Sequence, residues 1–272
     1  MSGFPHSLLS LLLGEYRDNP HFFPRISADE TYLSSFPRSG NTWLRCLLTS
    51  LYHGTEAKPE LVKATIPDVY KILYPGSKNR RKPSIRPLVI KTHGPVTEIP
   101  AKVVYLVRDG RDAMLSFYYF RRRKQYGKRE LTPKEFFFHE KIWPCAWHDH
   151  VMGWLDWLET LPPERYLLMR YEELLAEPLE QLCAIAEFVG FPTDTEALER
   201  AIALNTRDNL KTIAAKAGRS ELYYVGEDRK AWQEVLGDED LARYEALAGP
   251  ALKRLGYPLM SDSASSTPVT NE

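Results

Sequence analysis

The sequence predicts an α/β fold, a three-layer α/β/α sandwich around a central, mainly parallel sheet. Three observations carry this expectation. Residues 31–48, TYLSSFPRSGNTWLRCLL, read as a short buried strand that passes through a tight polar turn straight into a helix. Lys102–Val107 is dominated by β-branched and apolar residues without polar alternation, the pattern of a strand buried on both faces. Leu88-Val89-Ile90 and Tyr166–Met169 add two further short apolar runs, the second leading directly into helical spacing.

At 272 residues the chain suits one large domain. We expect that domain to span 1–258, with 259–272, small and polar from Ser261 onward, as a disordered tail. Lys and Arg number 36 against 36 Asp and Glu, so no global field draws the protein onto nucleic acid or an anionic membrane. Cys46, Cys145 and Cys183 lie far apart in largely apolar surroundings, which places the chain in a reducing, cytoplasmic compartment.

In chain order, Leu8–Leu13 reads as a short packing helix, far below the roughly 20 apolar residues that span a bilayer. In the turn Pro37-Arg38-Ser39-Gly40-Asn41-Thr42, proline ends the strand and glycine permits a sharp reversal that exposes several N–H groups together. Trp43, Leu44, Leu47, Leu48 and Leu51 recur at helical spacing and fix the helix start, an anion site beside the charge of Arg38. Residues 54–86, with the basic cluster at 78–82, read as an excursion from the core. The strand at 88–90 ends in Lys91-Thr92-His93, and the strand at 102–107 ends in Arg108. In a parallel sheet these carboxyl ends form the ligand rim. The helix after Arg108 carries Ser116 in its second turn.

Arg121–Lys124 reads as a solvated helix face, and Trp143, Trp147, Trp154 and Trp157 as a packed helical stretch. His148 and His150 stand without an acidic or cysteine cluster at zinc spacing, so no metal is assigned. Pro178–Val189, Thr195–Leu204 and about 239–255 read as helices, and 205–228 as a polar, broken segment.

Four pieces, FPRSGNTW, VIKTHGP, YLVRDGRDAMLSFYYF and MRYEELLAEP, resemble in order and spacing the sulfotransferases that use 3′-phosphoadenosine 5′-phosphosulfate (PAPS). The resemblance covers roughly residues 30–257. It implies a P-loop-like phosphosulfate-binding loop formed by Arg38, Ser39, Gly40, Asn41 and Thr42, with Arg38 where the family usually has Lys and Asn41 where it has Thr. It further implies His93 as the catalytic base, with Lys91 and Arg38 beside the transferring group. Arg108 and Ser116 match the 3′-phosphate pair, and Trp43, Tyr171 and Thr206 the adenine side. Gly226, in Tyr224-Val225-Gly226, matches a variant of the C-terminal motif.

The implied reaction is sulfuryl transfer from PAPS to a hydroxyl or amine of a small-molecule, glycan or secondary-metabolite acceptor, releasing PAP without a metal. No nucleic acid or membrane partner is expected, and the oligomeric state is open. A P-loop kinase would need a Walker lysine and a magnesium-binding acid. A nucleic-acid-binding protein would lean on the basic residues at 121–129.

Overall fold

The computed structural model describes residues 30–69, 87–96, 101–123, 131–139, 142–218 and 231–260. The helix expected at Leu8–Leu13, the basic cluster at 78–82, Gly226 and the tail from Ser261 lie outside the described residues.

The sheet consists of β1 (Thr31–Ser34), β2 (Val89–Thr92), β3 (Lys102–Val107) and β4 (Tyr166–Arg170), in the order β2-β1-β3-β4 with every neighbouring pair parallel. The chain leaves β1 for one side through β2 and returns past it to β3 on the other. The order therefore reverses at β1/β3, and ligands of open parallel sheets bind at such a reversal, outside the carboxyl ends of the strands.

Alternate residues of each strand separate into two cores. Tyr32, Ile90, Val103, Tyr105 and Val107 face one side. There they meet α3 (Gly110–Arg123), α4 (Pro133–Phe137), α5 (Trp147–Leu158), α10 (Trp232–Val235) and α11 (Asp238–Arg254). Leu33, Val89, Val104, Leu106 and Met169 face the other side. They pack on α1 (Asn41–His53), α6 (Tyr171–Ala176), α7 (Pro178–Val189) and α8 (Thr195–Leu204). Helices thus cover both faces of a parallel sheet, the three-layer arrangement expected from its uniformly apolar strands.

Several boundaries depart from expectation. Strand β2 runs through Lys91 and Thr92, because the ladder to β1 continues through Leu33↔Lys91 and Ser34↔Thr92, so only His93 stands past its end. The front of the 54–86 segment is packed structure, not an excursion. It forms α2 (Pro59–Thr65), which buries Val62, and then a backbone bridge from Asp68 to Lys91. The polar stretch after Asn205 contains α9 (Arg207–Lys216), which is capped by Thr206 and buries Leu210, Ile213 and Ala214. Trp143 precedes α5 and does not belong to it.

Candidate active site

The loop after β1 is built by two left-handed residues, Arg38 at φ 70° and Gly40 at φ 94°. Alternation of such conformations turns successive N–H groups toward one concavity. Ser39 N–H closes the turn onto Phe36 carbonyl at 3.3 Å, so the cradle falls to the first-turn N–H groups of α1, which have no intrahelical acceptor. No side chain caps α1. The Ser39 hydroxyl and the Asn41 Oδ1 are buried and lack a protein hydrogen-bond partner. The Ser39 hydroxyl, a buried donor beside an uncapped helix start, fits an anionic ligand oxygen. Glycine is required at position 40 twice over, since a Cβ there would also lie 2.3 Å from the Tyr171 ring.

Arg38 and Arg108 converge from the two strands of the topological reversal. Arg38 Nε donates to Ser116 Oγ at 3.2 Å, and its guanidinium lies 4.9 Å from the Phe120 ring centre. Arg108 donates to the Arg38 carbonyl at 3.3 Å, faces the Tyr171 ring at 4.9 Å and sits 3.9 Å from Asp112. Burial raises the Asp112 carboxyl above its ordinary value, with Arg108 opposing that shift. Tyr171 meets Trp43 edge to face at 6.1 Å. The Trp43 indole in turn donates to the Asn205 carbonyl at 3.1 Å, next to Thr206. Thr206 itself is exposed and accepts the Asn209 N–H, so its position in this structure is that of a helix cap.

On the opposite flank of the loop, His93 Nδ1 lies 2.7 Å from the Ser35 carbonyl. A carbonyl only accepts, so Nδ1 carries the hydrogen and Nε2 presents its lone pair. Burial, followed by the charge of Lys91, holds His93 well below the ordinary histidine value and keeps it neutral. Ser35 Oγ joins this nitrogen at 3.2 Å to the Asn41 amide at 3.1 Å, tying His93 and the loop together. Trp143 stands edge-on to His93 at 6.5 Å. Lys91 is 8% exposed and pairs with Asp68 Oδ2 at 2.6 Å, a partner absent from the sequence-based site.

From β2 to β4 the rim therefore runs His93, the Arg38 loop, Arg108 and Tyr171. Ser35, Asp68 and Glu172 escaped the sequence reading. Glu172 accepts the Asp109 N–H at 3.0 Å and the Tyr257 hydroxyl at 2.8 Å, bracing the turn that carries Arg108. Its place directly after Tyr171 was the available signal; Asp68 had none. Among the described residues no group of His, Cys, Asp and Glu forms a metal site.

A strand–loop–helix turn with free first-turn N–H groups, two arginines at the reversal of a parallel sheet and an imidazole on the flank make up a P-loop-like α/β fold with a candidate anion site. The family described as Sulfotransferase domain matches residues 28–255, and the chain belongs to it. Its reaction is sulfuryl transfer.

The chain is similar to cytosolic sulfotransferase 10 of Arabidopsis thaliana, 28% identical over an alignment covering 81% of this chain and 79% of the relative. It is equally similar to flavonol 4′-sulfotransferase of Flaveria chlorifolia, at 28% identity with 85% and 81% covered. Among solved structures, a mouse sulfotransferase complexed with PAP superposes with a TM-score of 0.66. That match covers 92% of this chain and 96% of the other at 18% identity, a likeness of fold.

Proposed function

We propose that the protein transfers a sulfuryl group from PAPS to a hydroxyl or amine of a small, partly apolar acceptor and releases PAP. His93 is the base. The observation that carries this reading is the order of the rim, where three adjacent parallel strands end in His93, the Arg38 loop and Arg108. One nucleotide with phosphates at both ends would lie along the loop and the Arg108 pocket, leaving the imidazole to the acceptor.

Bound PAPS supplies the sulfuryl group. The chain does the rest. His93 Nε2 takes the acceptor proton, while its Nδ1–H stays on the Ser35 carbonyl, which stabilises the imidazolium that forms. The first-turn N–H groups of α1, Ser39, Arg38 and Lys91 set positive potential where negative charge collects, the kind of preorganised stabilisation that dominates many reactions. For Lys91 this requires sharing its charge between Asp68 and the ligand. Arg108 and Ser116 select the second phosphate, and Trp43, Tyr171 and the Thr206 turn form the base-stacking side. Gly226 is kept in the binding set on sequence grounds alone.

The Trp143 ring stands edge-on to His93, and an aromatic neighbour of the proposed base favours a phenolic or other apolar small molecule over a glycan. The flavonol activity in a relative's name points the same way. The three free cysteines fit a cytoplasmic setting, and among the described residues no helix is long and apolar enough to cross a membrane.

The test is incubation with labelled PAPS and a panel of phenols, flavonols, alkyl alcohols, amines and glycans. Transfer to at least one phenolic member is expected, with PAP as co-product. Failure with every acceptor while PAP also fails to bind would overturn the reading.

A further inference from the structure

We propose that His150 is a positioning residue for the transfer reaction. Together with Tyr105 and Trp154 it clamps the backbone that follows His93 and thereby aims the imidazole. The proposal rests on His93 being the base.

His150 lies on α5 behind the rim, 1% exposed, where a helix facing a sheet would ordinarily carry an apolar residue. Its two nitrogens have defined roles. Nε2 is 2.9 Å from the Gly94 carbonyl, which only accepts, so Nε2 carries the hydrogen. Nδ1 is therefore bare, and the Tyr105 hydroxyl donates to it at 3.0 Å. The Trp154 indole donates to the same Gly94 oxygen at 3.2 Å, which uses both of its lone pairs. Gly94 N–H is tied in turn to Thr92 Oγ at 3.0 Å.

The residue after the base is thus held at both polar backbone groups, one by the end of β2 and one by α5. His93 itself is held through Nδ1 on Ser35. The ring is fixed between these points. Tyr105 stacks on Trp154 at 5.5 Å and 18°, and Phe36 meets His150 edge-on at 5.6 Å, so the clamp is packed on its sides as well. Burial places His150 at about 4, neutral under working conditions, and the single hydrogen on Nε2 is consequently always available to Gly94. Leucine at this position would leave the Tyr105 hydroxyl without its acceptor and free the turn that orients the base.

The test compares His150→Leu, His150→Gln and Tyr105→Phe with His93→Ala in the full chain. Imidazole ¹⁵N–¹H correlation spectra identify the His93 signals by their loss in His93→Ala. In the wild type we expect one neutral tautomer of His93 with the hydrogen on Nδ1, and in His150→Leu a mixture. Turnover with the best acceptor of the panel should fall roughly 10- to 100-fold in His150→Leu, as expected for a displaced catalytic group. The Kd for PAP should move by less than about twofold, since no phosphate contact is touched. His150→Gln, whose amide donates and accepts from one end, should recover most of the loss. Should His150→Leu not fold, Tyr105→Phe, which removes one hydroxyl, carries the same prediction with a smaller loss of kcat. An unchanged His93 tautomer and kcat in the folded variant would overturn the proposal, and so would PAP affinity falling in step with kcat without rescue by glutamine. Wild-type turnover in His93→Ala would instead remove the base assignment itself.

Discussion

The two flanks of the loop are held in different ways. On the Arg108 side the contacts are long and compliant. Arg38 reaches Ser116 at 3.2 Å, Arg108 reaches a carbonyl at 3.3 Å and Asp112 at 3.9 Å, and both guanidinium groups rest on aromatic faces. On the His93 side the bonds are short, with 2.7 Å from His93 to Ser35, 2.6 Å from Lys91 to Asp68 and 2.9 Å from His150 to Gly94. On the proposed reading, the cations that receive a phosphate keep contacts they can exchange for it, and the base that meets a proton in one direction is held by short bonds.

The sharpest break of this contrast is His93→Ala. Turnover should fall about 10²- to 10⁴-fold, the usual contribution of a general base, while calorimetric PAP affinity stays at the wild-type level. Equal loss of both would mean that the two flanks are not separable.

The locked side also has a stability signature. A histidine whose folded value is depressed binds its proton more readily in the unfolded chain, so its stabilising effect is complete above the unfolded value and is lost as pH falls. For His150, at about 4 in the fold, the loss runs from about 6.5 down to about 4 and amounts to at most about 3 kcal/mol. Denaturant midpoints at pH 7, 5 and 4 should fall more steeply for the wild type than for His150→Gln. Parallel curves would contradict the buried neutral state.

On the compliant side, Arg108→Ala should weaken PAP binding by roughly 10- to 100-fold, the worth of hydrogen bonds to a charged group, with kcat at saturating donor little changed. A nucleotide lacking the 3′-phosphate should then bind variant and wild type alike. Gly40→Ala probes the hinge between the flanks. The left-handed φ of 94° and the 2.3 Å approach to Tyr171 predict a loss of about 1–3 kcal/mol in thermal or denaturant unfolding. Adding Tyr171→Ala should restore only the part due to the ring.

Asp68→Asn has the smallest effect. Without that carboxylate the Lys91 charge is uncompensated, and because Lys91 already lowers His93, the base becomes harder to protonate. The acid limb of the kcat/KM profile should move to lower pH. A move to higher pH would show that Asp68 does not act through Lys91.

Much of the fold was legible because its strands are buried on both faces and therefore read as apolar runs. Helices such as Pro178–Val189 and Thr195–Leu204 carried their own stop and start signals. The end of β2 was misread because Lys91 and Thr92 look like rim residues, and only the ladder to β1 reveals that the strand continues beneath them. Helix α9 was hidden by its polar exposed face, although Leu210, Ile213 and Ala214 keep helical spacing. Of the proposed site residues, Arg38, Arg108, Ser116 and His93 could be placed on the rim from the sequence because they sit at strand ends or in the helix that follows. Asp68 could not, since a single bridge from a distant segment brings it to Lys91. His150 was noticed only as half of an H-x-H pair, and its role depends on Tyr105 and Gly94, 45 and 56 residues away.

The central claim is that one nucleotide bridges two anion sites on the rim with the imidazole beyond them. A crystal structure with PAP tests it most directly. We expect the 5′-phosphate on the first-turn N–H groups of α1, the 3′-phosphate between Arg108 and Ser116, and the adenine near Trp43 and Tyr171. PAP bound away from this rim, or with its 3′-phosphate turned toward His93, would contradict the account.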